Sequence, residues 1–288
     1  MKKYNKILIL GSAGQIGSAL VNHLKNKEYD VSEMDIDITL LHDLKIKNNF
    51  SLSSKLIESD FVFFLAYDVG GSKYLEQKQY EYSFIQSNID IMTNVFGRLN
   101  ALNKPFIFAS SQLAMNINSP YGVQKRLGEF YTQALNGYNV RFWNVYGVEK
   151  NLKRSHAITD FILQARDKNE IQLLTDGTEK RQFLYVEDCC EALEILMNKC
   201  DTLDNKLTFD ISSYEWSTIL EIANLIAQRM QCKVFPSHKK DIIHTKDLHD
   251  PNDNMKQFWI PKTNLITGIN KMIDYYVYTE EGKNVKNS

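Results

Sequence analysis

The chain has little of what several protein classes require. Only four cysteines (Cys189, Cys190, Cys200 and Cys232) stand in 288 residues, with no CxxC pair and no Cys/His spacing of a metal site. This argues against a disulfide framework and against a metal centre, and it fits buried thiols in a reducing, cytoplasmic setting. Neither charge is in excess: 34 Lys+Arg against 35 Asp+Glu leave a net charge of −1. No global basic field exists to hold a nucleic acid or an anionic membrane. No apolar run approaches the ~18 residues that a membrane span needs. The strongest is FVFFLAY, residues 61–67. The opening MKKYNKILILGSAG resembles a signal peptide only at first glance. Its apolar run is Ile7 to Leu10 alone, and it ends in glycines rather than in a cleavage-type site.

What is present is globular. Hydrophobic residues make up 43% and charged residues 24%, which excludes a disordered or collagen-like chain. The length suggests about two domains, or one core with an appended lobe. Strands are expected at Lys6–Leu10, Val31–Asp35, Phe61–Tyr67, Phe106–Ala109 and Val140–Trp143. Helices are expected over Gln15–Lys27 and Tyr82–Leu102, and from about Ser119, with Ser119 as N-cap and Pro120 at the first helical position. Continuous apolar strands alternating with helices indicate a doubly wound parallel sheet covered on both faces, an α/β Rossmann-type fold. After Gly147 the rhythm changes. Helices are expected at Ala157–Lys168, Asp188–Met197 and Thr218–Met230, with short strands near Ile171–Leu174 and Phe183–Val186. Residues 236–256 read as polar loop, and Glu280–Ser288 as a frayed tail. This divides the chain into a dinucleotide-binding domain, 1–150, and a smaller α/β substrate domain, 151–288, some segments of which return to the first.

Between the first strand and helix lies Gly11-Ser-Ala-Gly14-Gln15-Ile16-Gly17. Gly11 can make the tight turn, Gly14 lets backbone approach a pyrophosphate, and Gly17 permits close helix–strand packing. The helix N-terminus offers unpaired N–H groups to phosphates. Asp35, 18 residues beyond Gly17, ends the second strand. A carboxylate there can accept adenosine ribose hydroxyls and repel a 2′-phosphate, favouring NAD over NADP. Tyr121 and Lys125 form a YxxxK pair on one helix face. The ammonium is expected to lower the phenol pKa, so that Tyr121 can exchange a proton with a substrate hydroxyl during hydride transfer. Ser110 and Ser111 follow the strand FIFA at the ligand-binding edge of the sheet, where one serine can hydrogen-bond the reacting oxygen.

Together GSAGQIG, FVFFLAYDVGG, FIFASS, SPYGVQKRLGE, VRFWNVYG and DGTEKRQFLYVEDCCEAL resemble the extended short-chain dehydrogenase/reductases that modify nucleotide sugars. The resemblance runs in order from residue 6 to about 223. It implies catalytic roles for Ser111, Tyr121 and Lys125, and cofactor contacts from the glycine motif (Gly11, Gly14, Gln15, Ile16, Gly17), Asp35, Ala66, Tyr121 and Lys125. It implies nucleotide-sugar contacts from Gln112, Asn144 and His156, and from Arg181 to the diphosphate. It also implies a homodimer formed through two helices. Val69-Gly70-Gly71 and Ser155-His156 are most similar to GDP-mannose 3,5-epimerases and GDP-fucose synthases, which tilts the base toward GDP. By the same resemblance His156 is either a second acid/base or a substrate contact.

Three departures stand out. No acidic pair follows Ser111, which argues against a dehydratase. No cysteine stands beside the serines, where the 3,5-epimerising relatives use one; Gln112 cannot titrate in its place. Nine residues separate Ser111 from Tyr121, a loop shorter than usual, which is expected to open or reshape the substrate site. The expected function is NAD-dependent redox chemistry at C4 of a nucleotide sugar, as a 4-epimerase or as a 4-keto reductase or dehydrogenase. The alternatives are a reductase acting on a non-sugar carbonyl and a catalytically silent nucleotide-binding protein.

Overall fold

The computed structural model describes residues 3–241 and 249–284. The first half contains, in order, β1 (Lys6–Leu10), α1 (Gln15–Asn26), β2 (Asp30–Met34), α2 (Phe50–Glu58), β3 (Phe61–Phe64), α3 (Ser72–Lys78), α4 (Tyr82–Leu102), β4 (Phe106–Ser111), α5 (Pro120–Ala134) and β5 (Tyr138–Phe142). The second half contains β6 (Val145–Tyr146), α6 (Ala157–Lys168), β7 (Glu170–Gln172), β8 (Lys180–Gln182), β9 (Leu184–Tyr185) and α7 (Val186–Lys199). It continues with β10 (Thr208–Ile211), β11 (Trp216–Thr218), α8 (Ile219–Met230), β12 (Lys233–Phe235), α9 (Leu265–Tyr278) and α10 (Glu280–Lys283).

Six strands form one parallel sheet in the order β10-β5-β4-β3-β1-β2. Strand alternation sends Ile7, Ile9, Phe61 and Phe63 into one core and Leu8, Leu10, Val62 and Phe64 into the other. Helices α1 and α7 cover the first face; α2, α4 and α5 cover the second. The chain leaves β1 toward β2 and returns across it to β3. The carboxyl ends of β1 and β3 therefore flank the topological switch point, where such sheets bind ligands. Residues 36–49 hold a 3-10 turn at Leu40–His42 and no strand, so β2 is the sheet edge.

Two segments of the C-terminal half lie in this layer: α7 packs on α1, and β10 pairs with β5. The rest forms a lobe in which α6 packs against α8 and α9, beside the small pairs β7–β12 and β8–β11. One core runs without a break from Ile7 and Ile9 to Ile162, Ile226 and Ile273.

Several boundaries differ from expectation. The β3 strand ends at Phe64, so Leu65–Gly71 turns along the carboxyl edge. The β4 strand continues through Ser110 and Ser111, which pair with Arg141 and Phe142. The expected tail from Glu280 begins instead as α10: Thr279 caps it and Arg166 donates to the Gly282 carbonyl at 3.0 Å. Residues 285–288, and 242–248 of the expected 236–256 loop, lie outside the described residues. Among the described residues no helix is long and apolar enough to cross a membrane.

A buried polar cluster ties α5 to the sheet. The Glu129 carboxylate accepts from Arg141 Nε and Nη2 at 2.6 and 2.7 Å, from Ser110 Oγ at 2.7 Å and from Arg126 Nη1 at 2.6 Å. Burial pushes its pKa up, but these donors outweigh burial and hold it below 4.5. Its contribution is therefore complete above pH 4.5 and is lost as pH falls through the lower folded value. Glu129→Ala strands the buried Arg141 guanidinium. Denaturant unfolding at neutral pH should show a loss of about 3–5 kcal/mol, shrinking toward acid pH. A loss under 1 kcal/mol would contradict this role.

Candidate active site

The cleft at the switch point has a volume of about 480 Å³, within the range of small-ligand pockets. Gly11, Gly14, Gln15, Ile16, Gly17, Asp35, Ala66, Ser111, Gln112, Tyr121, Lys125, Asn144 and His156 all line it. Arg181 is not among its lining residues.

At one end Gly11 has φ +88°, and a Cβ there would stand 2.6 Å from the Ala66 nitrogen. A Cβ on Gly17 would collide with the Gly11 carbonyl oxygen. No side chain caps α1 at Gly14, which leaves its first-turn amides to a ligand. Ser12 Oγ is buried without a hydrogen-bond partner. Asp35 holds the turn, accepting from Ala13 N at 3.0 Å and from Asp37 N at 2.9 Å. Each carboxylate oxygen keeps a further lone pair for a ligand hydroxyl. Gln15 is tied across the cleft to the Gly147 carbonyl at 3.2 Å. A close-approach glycine cradle, a free helix N-terminus and a carboxylate at the rim fit a dinucleotide.

At the other end Ser119 caps α5, accepting from Gly122 N at 3.0 Å, and Pro120 begins the helix. This brings Tyr121 and Lys125 to the carboxyl end of β4. Ser111 hydrogen-bonds the Tyr121 side chain. Both serines line the cleft, but Ser110 Oγ donates to Glu129 at 2.7 Å, whereas Ser111 Oγ accepts from Leu113 N at 3.2 Å. The expected lowering of the Tyr121 pKa is corrected here: burial raises it, with the Ser111 hydrogen bond acting the other way. Burial also lowers the Lys125 pKa, against the attraction of Glu129. Lys125 Nζ donates to the Ala109 carbonyl at 2.7 Å and lies 5.7 Å from the Tyr121 ring centroid.

The short loop is compact. Gln112–Met115 forms a 3-10 turn whose Leu113 carbonyl would collide with any Cβ on Gly122. Val-Gly-Gly and Ser-His form one unit. Gly71 N donates to the Arg154 carbonyl at 2.9 Å, and a Cβ on Gly71 would collide with the Ser155 carbonyl oxygen. Arg154 pairs with Asp68 at 2.9 Å. Asn144, at φ +32°, donates to the Gln182 carbonyl at 3.3 Å. Arg181 lies on β8, buried, donating to the Lys180 carbonyl at 2.8 Å and ion-paired with Asp241.

Two residues of the site escaped the sequence reading. Tyr67 lines the cleft beside Lys125, whose Nζ stands 3.5 Å from the centroid of its ring. Glu149 accepts from His156 N at 3.0 Å and pairs with its Nδ1 at 2.6 Å. Glu149 is held in turn by Tyr276 of α9, whose hydroxyl accepts from its backbone N–H at 2.8 Å. Nothing in the polar run 148–156 singles out Glu149, because its partner is chosen by the fold.

The model of the NAD dependent epimerase/dehydratase family matches residues 7–212. The chain belongs to this family of enzymes. A UDP-glucuronic acid decarboxylase 1 from Danio rerio is 24% identical over 96% of this chain and 73% of its own length. A GDP-L-fucose synthase from Sinorhizobium fredii is 25% identical over 94% and 95%. Among solved structures, an epimerase from Methanothermobacter thermautotrophicus superposes with a TM-score of 0.82 at 18% identity, over 96% of this chain and 93% of that one. A GDP-mannoheptose C4 reductase from Campylobacter jejuni with NADP bound gives 0.77 at 18%, over 96% and 99%. These structures share the fold.

Burial lowers the His156 pKa, but the charge and hydrogen bond of Glu149, with Asp160, outweigh it and raise the value above 6.5. The imidazole is 40% exposed, so solvent limits the effect. Glu149→Gln removes the partner and leaves the burial. An NMR titration of the imidazole should show the His156 pKa falling; an unchanged value would show that the pair does not set its charge.

Proposed function

We infer that this chain carries out NAD-dependent redox chemistry at C4 of a nucleotide-activated sugar, as a 4-epimerase or as a 4-keto reductase or dehydrogenase. One observation carries this reading: the glycine cradle with Asp35 and the Ser111–Tyr121–Lys125 group open into the same cleft. When bound, the nicotinamide accepts or returns a hydride. Ser111 holds the reacting oxygen, Tyr121 gives or takes its proton, and Lys125 supplies positive charge beside them. Asp35 supports NAD over NADP through repulsion of a 2′-phosphate. Gln112 and Leu113 place no acid beside Ser111, which favours redox over dehydration.

The C-terminal lobe, without α7 and β10, is the proposed site of the sugar nucleotide, with Gln112, Asn144 and His156 on the sugar. The Gly71–Ser155 contact and the likeness to GDP-L-fucose synthase favour a GDP-sugar. Arg181 is assigned to the diphosphate, whose oxygens match its planar fork, and Asp241 must then yield to the ligand. A homodimer is supported by the exposed apolar stripe Val123, Leu127 and Phe130 on α5. The free, buried thiols of Cys189, Cys190 and Cys200 fit the cytoplasm.

Turnover should be sought with NAD(H) and a panel of GDP-, UDP-, dTDP- and CDP-sugars. On the substrate found, Tyr121→Phe should lower turnover by at least ~10²-fold while NAD still binds. Near-normal turnover would remove Tyr121 from the chemistry. If no nucleotide sugar reacts or binds, a non-sugar carbonyl substrate takes precedence.

Arg181 is tested by calorimetry with the nucleoside diphosphates. Arg181→Lys should cost roughly 1.5–3 kcal/mol of binding. Asp241→Asn, which frees the guanidinium, should strengthen binding. Weaker binding by Asp241→Asn, or no change in either variant, would place the diphosphate elsewhere.

A further inference from the structure

Lys125 is a buried ammonium with few partners. Its Nζ donates to the Ala109 carbonyl at 2.7 Å and stands 3.5 Å from the centroid of the Tyr67 ring. The next aromatic face, Phe108, is 5.1 Å away. The titratable groups around it are Tyr121 and Glu129 of its own helix and Tyr67 from the loop after β3. Glu129 acts on it only through space, since Ser110, Arg126 and Arg141 already occupy its oxygens. An ammonium so placed is costly unless something replaces its water. A ring face within about 6 Å does so through its quadrupole, and more strongly where water is excluded.

Tyr67 itself is fixed. Its ring meets the Tyr121 ring edge-on at 5.8 Å, and its hydroxyl lies 3.8 Å from Met92 Sδ. The next residue is clamped from α4: Asn88 accepts from Asp68 N at 2.8 Å and donates to the Asp68 carbonyl at 3.1 Å. Asn88 is fully buried, so the clamp is shielded from water.

We propose that Tyr67 is a positioning residue for Lys125: its ring face and the Ala109 carbonyl fix the ammonium beside Tyr121 and leave its remaining N–H direction to a ligand in the cleft. The ring face acts, not the hydroxyl. The ligand part rests on the dinucleotide reading above; the contact itself does not.

The test compares Tyr67→Leu and Tyr67→Phe with wild type. The first readout is an NMR titration of the Lys125 ε-methylene, assigned with Lys125→Arg. The second is calorimetric NAD binding. Tyr67→Leu should lower the Lys125 midpoint by roughly half a pH unit or more and weaken NAD about 3- to 30-fold. Tyr67→Phe should restore both to within about twofold of wild type, as expected for a ring face. If Tyr67→Leu does not fold, a series of increasingly fluorinated phenylalanines at position 67 keeps the shape and strips the negative face. The midpoint should then fall stepwise. An unmoved midpoint in Tyr67→Leu, a flat fluorination series, or a loss in Tyr67→Phe equal to that in Tyr67→Leu would overturn the proposal. If wild type binds neither NAD nor NADP, the dinucleotide reading fails, and the titration still decides the contact.

Discussion

The cleft depends on one close approach, that of Gly11 to Ala66. Two adjacent parallel strands, β1 and β3, end side by side, and their following loops must part in opposite directions. Only a residue without a side chain fits where Gly11 meets the Ala66 backbone, and its φ of +88° suits glycine alone. From this point α1 starts with its amides open, and the chain after Ala66 turns to deliver Tyr67 and Asp68 to the opposite wall. A methyl group at Gly11 would push these walls apart. The dinucleotide cradle and the support of Lys125 are therefore consequences of one backbone contact.

Behind the site the same economy governs charge. The buried Glu129 satisfies Ser110, Arg126 and Arg141, so Ser111 and Lys125 meet the cleft rather than the cluster. Burial raises the Tyr121 pKa and lowers that of Lys125, the latter against the attraction of Glu129. On the far wall His156 is treated oppositely: Glu149 is close enough to outweigh burial. Two proton-bearing groups with different environments thus face one cavity, a usual basis for dividing acid and base roles.

The sheet was legible because its strands are continuous apolar runs and its turns carry glycines. The helix α4 was legible to the residue, since its apolar stripe is regular and Asn103 closes it in the left-handed conformation. The sixth strand, β10, was not. Its four residues, Thr208–Ile211, carry no pattern and join the sheet only because β5 offers an edge. Ser111, Tyr121 and Lys125 could be found because their spacing is local. Tyr67 and Glu149 could not, because their roles come from residues 58 and 7 positions away, brought together by the sheet and by the Gly71–Ser155 contact. The tyrosine pKa was misjudged for a related reason: spacing reports which charges are near, whereas burial belongs to the folded chain.

The central claim is that this cleft is built for NAD. Calorimetric titration of the wild-type protein and of Asp35→Ala with NAD and NADP tests it most directly. The account predicts that wild type binds NAD more tightly than NADP, and that Asp35→Ala weakens NAD and narrows the difference. Tighter binding of NADP by wild type would contradict the role of Asp35, and binding of neither would contradict the account of the cleft.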